Sequence, residues 1–256
     1  IDDAIRRMGG VYNGDISGML SISMPRWRFD ILHPIDLVEE IAIGHGYDDL
    51  SHDVPKAPLT AIPRSDGHLR RRVREALQGL GLIQIQSLTL SNDSDQFELM
   101  RWKAEGAITR MTNPITTEHT ILRQNILPGL LRLLAANRHH DLPQGVYELG
   151  TVVIEHKNRD KFAFLIAERS GGFASLRGRI QGLMRDIGCT DWSLETSETG
   201  PWLSGRSANI VVNGQVVGQC GEIDPRVSES FDLKVPMSGA QFDMIALSSV
   251  IEDPVH

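Results

Sequence analysis

Three prolines within nine residues divide this chain before any other pattern is considered. Pro55, Pro58 and Pro63 lie in the stretch SHDVPKAPLTAIPRSDG, which shows little apolar periodicity. Proline fixes φ, and steric clash pushes the residue before it out of the helical region. The stretch therefore predicts an extended linker at 56–66, between a small N-terminal unit at 1–55 and a larger unit at 67–256.

Charge is distributed unevenly along the 256 residues, whose formal net charge is −7. Segment 1–66 carries −5, segment 67–140 carries +4 and segment 141–256 carries −6. This balance excludes a chain that is basic over its whole surface and holds nucleic acid by phosphate neutralisation alone. Most of the positive charge in the middle belongs to one predicted helix, which carries Arg70, Arg71, Arg72 and Arg74.

Cysteine usage and hydropathy indicate the cellular compartment in which the chain works. The two cysteines, Cys189 and Cys220, are far apart and have no ligand partners at zinc-finger spacing. A disulfide framework and a structural zinc site are thereby excluded, and a reducing compartment is favoured. Since no apolar run is long enough for a membrane span, we expect a cytoplasmic protein that does not engage a membrane.

The small unit is predicted to contain two short helices and strand structure. A helix at 1–9 ends at a Gly-Gly pair, residues 19–24 alternate as a strand does, and a helix at 36–43 stops near Gly44. This content is typical of a small helix-turn-helix or winged-helix-like domain.

The larger unit is predicted to be α+β, with an antiparallel sheet. Its clearest signal is the Asn213–Gly214 pair between two apolar runs, which is typical of a two-residue hairpin turn. Helical spacing and strand alternation predict the remaining elements. They are helices at 69–80, 128–139 and 176–187, and strands at 83–90, 146–154 and 241–247.

Acidic residues are concentrated in the small unit. Asp36, Glu39 and Glu40 share one helical face, and Asp30 lies just upstream on a segment that could fold back toward them. Four converging carboxylates would suit Mg²⁺. The same spacing also fits a capping box, with Asp36 as the N-cap and Glu39 three residues later.

The segment before these carboxylates also has two interpretations. Arg26, Trp27 and Arg28 form a basic and aromatic run that would suit contact with nucleic acid. The same run fits an edge strand with solvated arginines.

Three groups of motifs, in order, resemble the β subunit of phenylalanyl-tRNA synthetase. The first is the run from Pro25 to Asp48, with RFDI, DLVEEI and GHGYD. The second comprises NPITTE at 113–118, LRQNILPGLL at 122–131, Asn137 and YELG at 147–150. The third comprises GRSA at 205–208, Val217-Gly218 and GEIDP at 221–225. The resemblance spans nearly all of the chain.

The resemblance implies a site and a fold for each unit. It implies Mg²⁺ at Asp30, Asp36, Glu39 and Glu40, in a small helix-turn-helix-like domain. It also implies that the larger unit is a class II synthetase-like domain that has lost its active site. The segment after Gly221 reads GEIDPRVSESF and lacks the late glycine-rich motif that a class II enzyme uses to hold ATP. We therefore expect no aminoacyl-adenylate site, and a structural or interface role for Arg123.

The resemblance further implies a place in an assembly. We expect a β-subunit piece that supports a catalytic α subunit in an α2β2 ligase, with ATP used by α to charge tRNA-Phe. The helix at 69–80 and the strand after it would pack against α, and Arg70, Arg71, Arg74 and Arg123 are candidate interface or RNA contacts. Two alternatives are a free-standing nucleic-acid-binding module, using the small unit and the Arg70–Arg74 cluster, and an independent class II-like ligase, which the missing motif disfavours.

The length implies a piece of that subunit. The chain begins at Ile1 without a methionine, and no segment matches the editing domain or the C-terminal ferredoxin-like domain of bacterial β subunits. We expect a β subunit of the archaeal or eukaryotic type, or a piece cut at both ends.

Overall fold

The computed structural model describes residues 1–51 and 66–251, which form two compact units. The units are Ile1–Ile62 and Pro63–His256. The linker predicted at 56–66 lies outside the described residues, apart from residue 66. Among the described residues, no helix is both long and apolar enough to cross a bilayer.

The small unit consists of two helices and a hairpin. Helix α1 (Asp2–Arg7) precedes the antiparallel strands β1 (Val11–Ile16) and β2 (Met19–Ser23), and helix α2 (Pro34–His45) follows. A single 3-10 turn, Tyr47–Asp49, comes last. The predicted helices and strand are confirmed, although α2 begins two residues earlier than predicted because Pro34 suits the first turn of a helix.

Close packing of α1 on α2 depends on a glycine. A Cβ atom on Gly44 of α2 would lie 2.1 Å from the carbonyl oxygen of Ala4 in α1. Glycine therefore lets the two backbones approach, and Ala4 and Ile5 of α1 are buried.

A seven-stranded sheet forms the centre of the larger unit. The strand order is β3-β6-β7-β11-β10-β9-β8, and every neighbouring pair is antiparallel except β3 with β6. The strands are β3 (Ile83–Gln84), β6 (Gln144–Ile154), β7 (Lys157–Ala167), β8 (Trp192–Thr196), β9 (Trp202–Val212), β10 (Gln215–Ile223) and β11 (Met237–Asp243).

Helices cover both faces of this sheet. They are α3 (Gly67–Gly79), α4 (Leu127–Ala136), α5 (Phe173–Asp186), α6 (Pro225–Ser230) and α7 (Met244–Val250). One core packs α3, α5 and α7 against residues such as Phe164 and Phe242. The other packs α4 and α6 against residues such as Leu165 and Trp202. The apolar stripe of α3, which includes Val73 and Leu77, is buried in the first core.

The predicted strand at 83–90 is two short strands. The backbone N–H of Ile85 donates to the carbonyl of Tyr147, and the chain then leaves the large sheet. It re-pairs as β4 (Leu90–Ser91) with β5 (Ile121–Leu122), and the N–H of Arg123 donates to the carbonyl of Thr89. A long-range partner therefore captures the second half of the segment.

Turn chemistry accounts for the other agreements and differences. The Asn213–Gly214 hairpin is confirmed, and both residues have positive φ. The hairpin between β6 and β7 was not predicted, because its turn uses Glu155 and His156 at positive φ, where asparagine or glycine is usual. The last strand was predicted at 241–247, but it ends at Asp243, whose carboxylate accepts two backbone N–H groups and caps α7.

Replacing Gly239 tests the packing of the central strands. A Cβ atom there would lie 2.3 Å from the carbonyl oxygen of Phe164, on the neighbouring strand β7. We expect Gly239→Ala to lower the free energy of unfolding of the larger unit by about 1–3 kcal/mol. Gly178 lies on the exposed side of α5 with open space around it, so Gly178→Ala should raise stability by about 0.5–1 kcal/mol. Urea denaturation followed by circular dichroism measures both, and equal effects would contradict the packing.

Candidate functional site

Arg28 is the centre of the acidic set in the small unit. Its guanidinium donates to both carboxylate oxygens of Asp30, at 2.5–3.1 Å, and to both oxygens of Glu40, at 2.5 and 3.0 Å. The Glu40 side chain is only 9% exposed. Two of the four predicted metal ligands therefore already face a cation supplied by the protein.

The third carboxylate, Asp36, caps the start of α2. It accepts the backbone N–H groups of Leu32 and His33, both at 2.7 Å. His33 is the N-cap residue and Asp36 the third residue of the helix. Asp36 therefore caps α2, as one interpretation of the sequence proposed, but it does so from inside the helix rather than from the N-cap position.

The predicted convergence of four carboxylates on one ion is not found. Within residues 1–51 and 66–251, no three His, Cys, Asp or Glu side chains are grouped to hold a metal. Arg28 binds Asp30 and Glu40, backbone amides bind Asp36, and Glu39 is exposed on α2. As placed, these residues do not fit Mg²⁺, and the physical reason is the guanidinium between them.

The contacts shift the proton affinities of these groups. Hydrogen bonds from Arg28 lower the pKa of Asp30 below its usual value, and the pKa of Arg28 is raised in return. Backbone hydrogen bonds from His33 and then Leu32 lower the pKa of Asp36. All three groups are therefore held in their charged forms at neutral pH.

The structure bears on both interpretations of the 26–28 run. Residues 26 and 27 form a turn, and residues 26–28 contain no strand. Trp27 and Arg26 are exposed, whereas Arg28 points into the ion pairs with Asp30 and Glu40. Neither interpretation therefore describes Arg28.

Two of the four arginines of α3 are engaged within the unit. Arg70 donates to Asp160 at 2.8 Å and lies 3.6 Å from Asp66, and Arg72 donates to the carbonyl of Ile187 at 3.0 Å. Arg74 is half-buried and Arg71 is exposed. The Arg70–Arg74 cluster therefore offers fewer arginines for contact with RNA or a partner than the sequence indicated.

Arg123 lies in a buried polar network rather than on the surface. Its side chain is 4% exposed, and that of Glu148 is 1% exposed. The guanidinium donates to Glu148 at 2.7 Å, to the Ser87 hydroxyl at 2.7 Å and to the carbonyl of Thr151 at 3.0 Å. Ser87 in turn donates to the second oxygen of Glu148 at 2.6 Å.

This network pairs Arg123 with partners inside the unit, as expected of a structural residue. A contact of this side chain with RNA or with a partner, which was one of the expectations, would require it to leave a buried carboxylate behind. Glu148 and Ser87 were not predicted from the sequence. The one available signal was the charged residue between Tyr147 and Leu149 in an otherwise apolar strand, because a buried carboxylate needs a partner.

Two family models match the chain, one for each unit. The tRNA synthetase B5 domain matches residues 1–47, and the phenylalanyl tRNA synthetase beta chain CLM domain matches residues 50–244. The chain belongs to the phenylalanyl-tRNA synthetase β-chain family. The resemblance inferred from the motifs is thereby confirmed.

Two similar curated proteins are archaeal. The phenylalanine–tRNA ligase beta subunit of Archaeoglobus fulgidus is 37% identical over 229 residues, which are 89% of this chain and 42% of the relative. That of Methanothrix thermoacetophila is 32% identical over 225 residues, or 88% of this chain and 41% of the relative. The chain thus spans about two fifths of the length of these relatives.

A solved structure supports the fold of the larger unit. PylSc of Desulfitobacterium hafniense, a pyrrolysyl tRNA synthetase, matches with a TM-score of 0.59 at 14% identity, and covers 69% of this chain and 65% of its own. At this identity the match concerns the fold alone. The predicted α+β class, with a synthetase-like antiparallel sheet, is confirmed.

Acid titration tests the Arg28 contacts. Because the pKa of Asp30 is lower in the folded than in the unfolded chain, its ion pair stabilises the fold above pH 4 and is lost as the pH falls further. We expect the α2 amides to lose protection from hydrogen exchange below about pH 4. Arg28→Met should weaken protection already at pH 7 and flatten the pH dependence. Arg26→Met, at an exposed neighbour, is the matched control, and equal behaviour of the two variants would contradict the assignment.

A pair of arginine substitutions tests the buried network. Arg123 and Glu148 are 2.7 Å apart and buried, whereas Arg138 and Asp232 are also 2.7 Å apart but exposed. Arg123→Met should cost about 3–5 kcal/mol of unfolding free energy, since it leaves a buried carboxylate unpaired. Arg138→Met should cost at most about 1 kcal/mol. Urea denaturation measures both, and a small effect at Arg123 would refute its structural role.

Proposed function

We propose that this β chain is a non-catalytic part of phenylalanine–tRNA ligase. It would support and position a catalytic α subunit that uses ATP to charge tRNA-Phe with phenylalanine. The observation that carries the proposal is the order of the two family domains, B5 and then CLM, over most of the chain. An α2β2 assembly, and the domain bounds 1–55 and 67–256, are parts of the same proposal.

We expect no adenylate site in the described part of this chain, and two features support that expectation. A class II active site directs an arginine at the ATP phosphates. Arg123, in the matching region, instead donates hydrogen bonds to Glu148 and Ser87. The segment after Gly221 supplies the end of β10 and helix α6, and its sequence has no glycine-rich run. The arginine that would offset phosphate charge in the matching region is therefore paired within the unit.

The β3 edge of the sheet, with the segment that follows it, is the best-supported surface for α. In the described part of the chain, β3 and β8 are the two terminal strands of the large sheet, and β3 pairs only with β6. Ile83 of β3 exposes 68% of its surface, and Leu88, in the segment after β3, exposes 65%. The apolar face of α3 is already buried in the unit's own core, so the contact would use the β3 edge rather than that face.

Fewer residues are candidates for contact with RNA or Mg²⁺ than the sequence indicated. Arg71 and Arg74 remain candidate RNA contacts, since the other arginines of α3 bind within the unit. ATP and Mg²⁺ would serve the ligase through the α subunit. We do not place Mg²⁺ on Asp30 and Glu40, because Arg28 already binds both carboxylates.

Exchange of pyrophosphate into ATP tests the catalytic part of the proposal. The chain alone should give no phenylalanine-dependent exchange above background, whereas co-expression with an archaeal α subunit should restore exchange and aminoacylation of tRNA-Phe. Robust exchange by the chain alone would overturn the proposal, as would failure to associate with any α subunit of the family.

Substitutions in β3 and in the segment that follows it test the surface for α. Ile83→Lys with Leu88→Lys should weaken co-purification with α at least about tenfold, because two charges would enter a desolvated interface. Ile115→Lys, at a fully exposed isoleucine, is the control and should leave co-purification unchanged. If the edge variant associates normally, the contact lies elsewhere.

A further inference from the structure

A cavity of about 580 Å³ lies where the last turn of α4 meets the end of β7 and the start of β11. Leu134 of α4, Ala167 of β7 and Met237 of β11 are buried in its lining, and Leu142 and Val235 are half-buried there. All five side chains are apolar, and none is aromatic. The volume is in the range of small-molecule sites, which are mostly apolar and carry a few polar groups that fix the ligand's orientation.

Two cations lie at one edge of this apolar lining. Ala167 pairs with Met237 in the antiparallel ladder, so Arg169, just after β7, and Lys234, just before β11, lie at the same end of the strand pair. Both residues line the cavity and are exposed. Neither side chain makes a hydrogen bond or an ion pair within the described part of the chain. Their two charges are therefore available to a ligand.

The other charged groups at the rim leave it positive. Arg138 binds Asp232 at 2.7 Å, so this pair adds no net charge. Asp141 is the exposed carboxylate that remains in the lining. One carboxylate is thus set against the two uncommitted cations, and the rim carries net positive charge even when His140 is neutral.

Two backbone carbonyls that follow α4 are also satisfied. Nε2 of Gln144 donates to the carbonyl of Asn137 at 3.2 Å and to that of His140 at 3.0 Å. Unpaired carbonyls at a helix C-terminus carry partial negative charge and would disfavour an anion nearby. Because the amide of Gln144 engages these two, the end of α4 opposes an anion in the cavity less than an uncapped helix would.

We propose that this cavity binds a small aliphatic carboxylate. Its carboxylate group would face Arg169 and Lys234, and its alkyl chain would lie against Leu142, Val235 and Met237. Burial of the chain on this lining removes apolar surface from water. Among the described residues of the lining, the imidazole of His140 is the one ring, which disfavours a stacked nucleotide base. The site is separate from the β3 edge and does not depend on the ligase proposal.

Titration with hexanoate, followed through ¹³C-labelled methionine methyl groups, tests this site. The signal of Met237, assigned from Met237→Leu, should shift saturably because this side chain lines the cavity. The signal of Met184, which lies in the core on the other face of the sheet, should not shift. Equal shifts of the two signals would mean that hexanoate binds without a defined site, and would overturn the proposal.

Paired charge variants test the role of the rim cations. Arg169→Gln with Lys234→Gln should raise the dissociation constant of hexanoate about tenfold or more, because charge-assisted hydrogen bonds to a carboxylate are the stronger class of such bonds. Lys157→Gln with Arg177→Gln makes the same change of charge at exposed positions outside the lining and should leave the constant unchanged.

Three further probes separate the alkyl chain, the charge and a nucleotide ligand. Acetate lacks most of the chain, hexanamide lacks the charge, and AMP carries a phosphate and a base instead. Each should bind at least about tenfold more weakly than hexanoate. Equal or tighter binding of any of them would overturn the proposal, as would the absence of a saturable shift with hexanoate up to about 20 mM or insensitivity to the Arg169 and Lys234 variant.

Discussion

The buried ion pair between Arg123 and Glu148 is the constraint on which the larger unit most depends. A guanidinium at 4% exposure needs partners for its donors, and the hydroxyl of Ser87 and the carbonyl of Thr151 accept from two more of its nitrogens. Ser87 lies in the segment that leaves the sheet after β3, whereas Glu148 and Thr151 lie in β6. The network thus ties this segment to the sheet that it leaves.

The same use of charge recurs in the small unit. Arg28 joins the turn before α2 to Glu40 within that helix, while Asp36 fixes the helix start through backbone amides. In each unit, one arginine of a family motif binds a buried glutamate: Arg28 binds Glu40, and Arg123 binds Glu148. Motif arginines that are paired inside the unit are better suited to hold a fold that supports a partner than to bind phosphates, and this is the physical basis of the proposed role.

Much of the fold was predictable because its signals are local. The Asn213–Gly214 turn, the apolar stripe of α3 and the presence of the α2 helix each depend on residues a few positions apart. The break in the predicted strand at 83–90 depends on pairing with residues near 121, and the length of the last strand depends on Asp243 capping a helix instead of continuing the ladder. The motifs predicted which residues belong to the candidate site, but not which groups those residues bind. Spacing placed Asp30 near Glu40 without showing that Arg28 would lie between them.

A double-mutant cycle on Arg123 and Glu148 tests the central claim most directly. The claim is that the motif arginine is a structural cation whose energetic partner is Glu148. Arg123→Met and Glu148→Gln, each alone, should destabilise strongly, and the double variant should recover part of the loss, with a coupling of about 2–3 kcal/mol. Additive effects, with coupling below about 0.5 kcal/mol, would show that Arg123 is not held by Glu148 and would contradict the account.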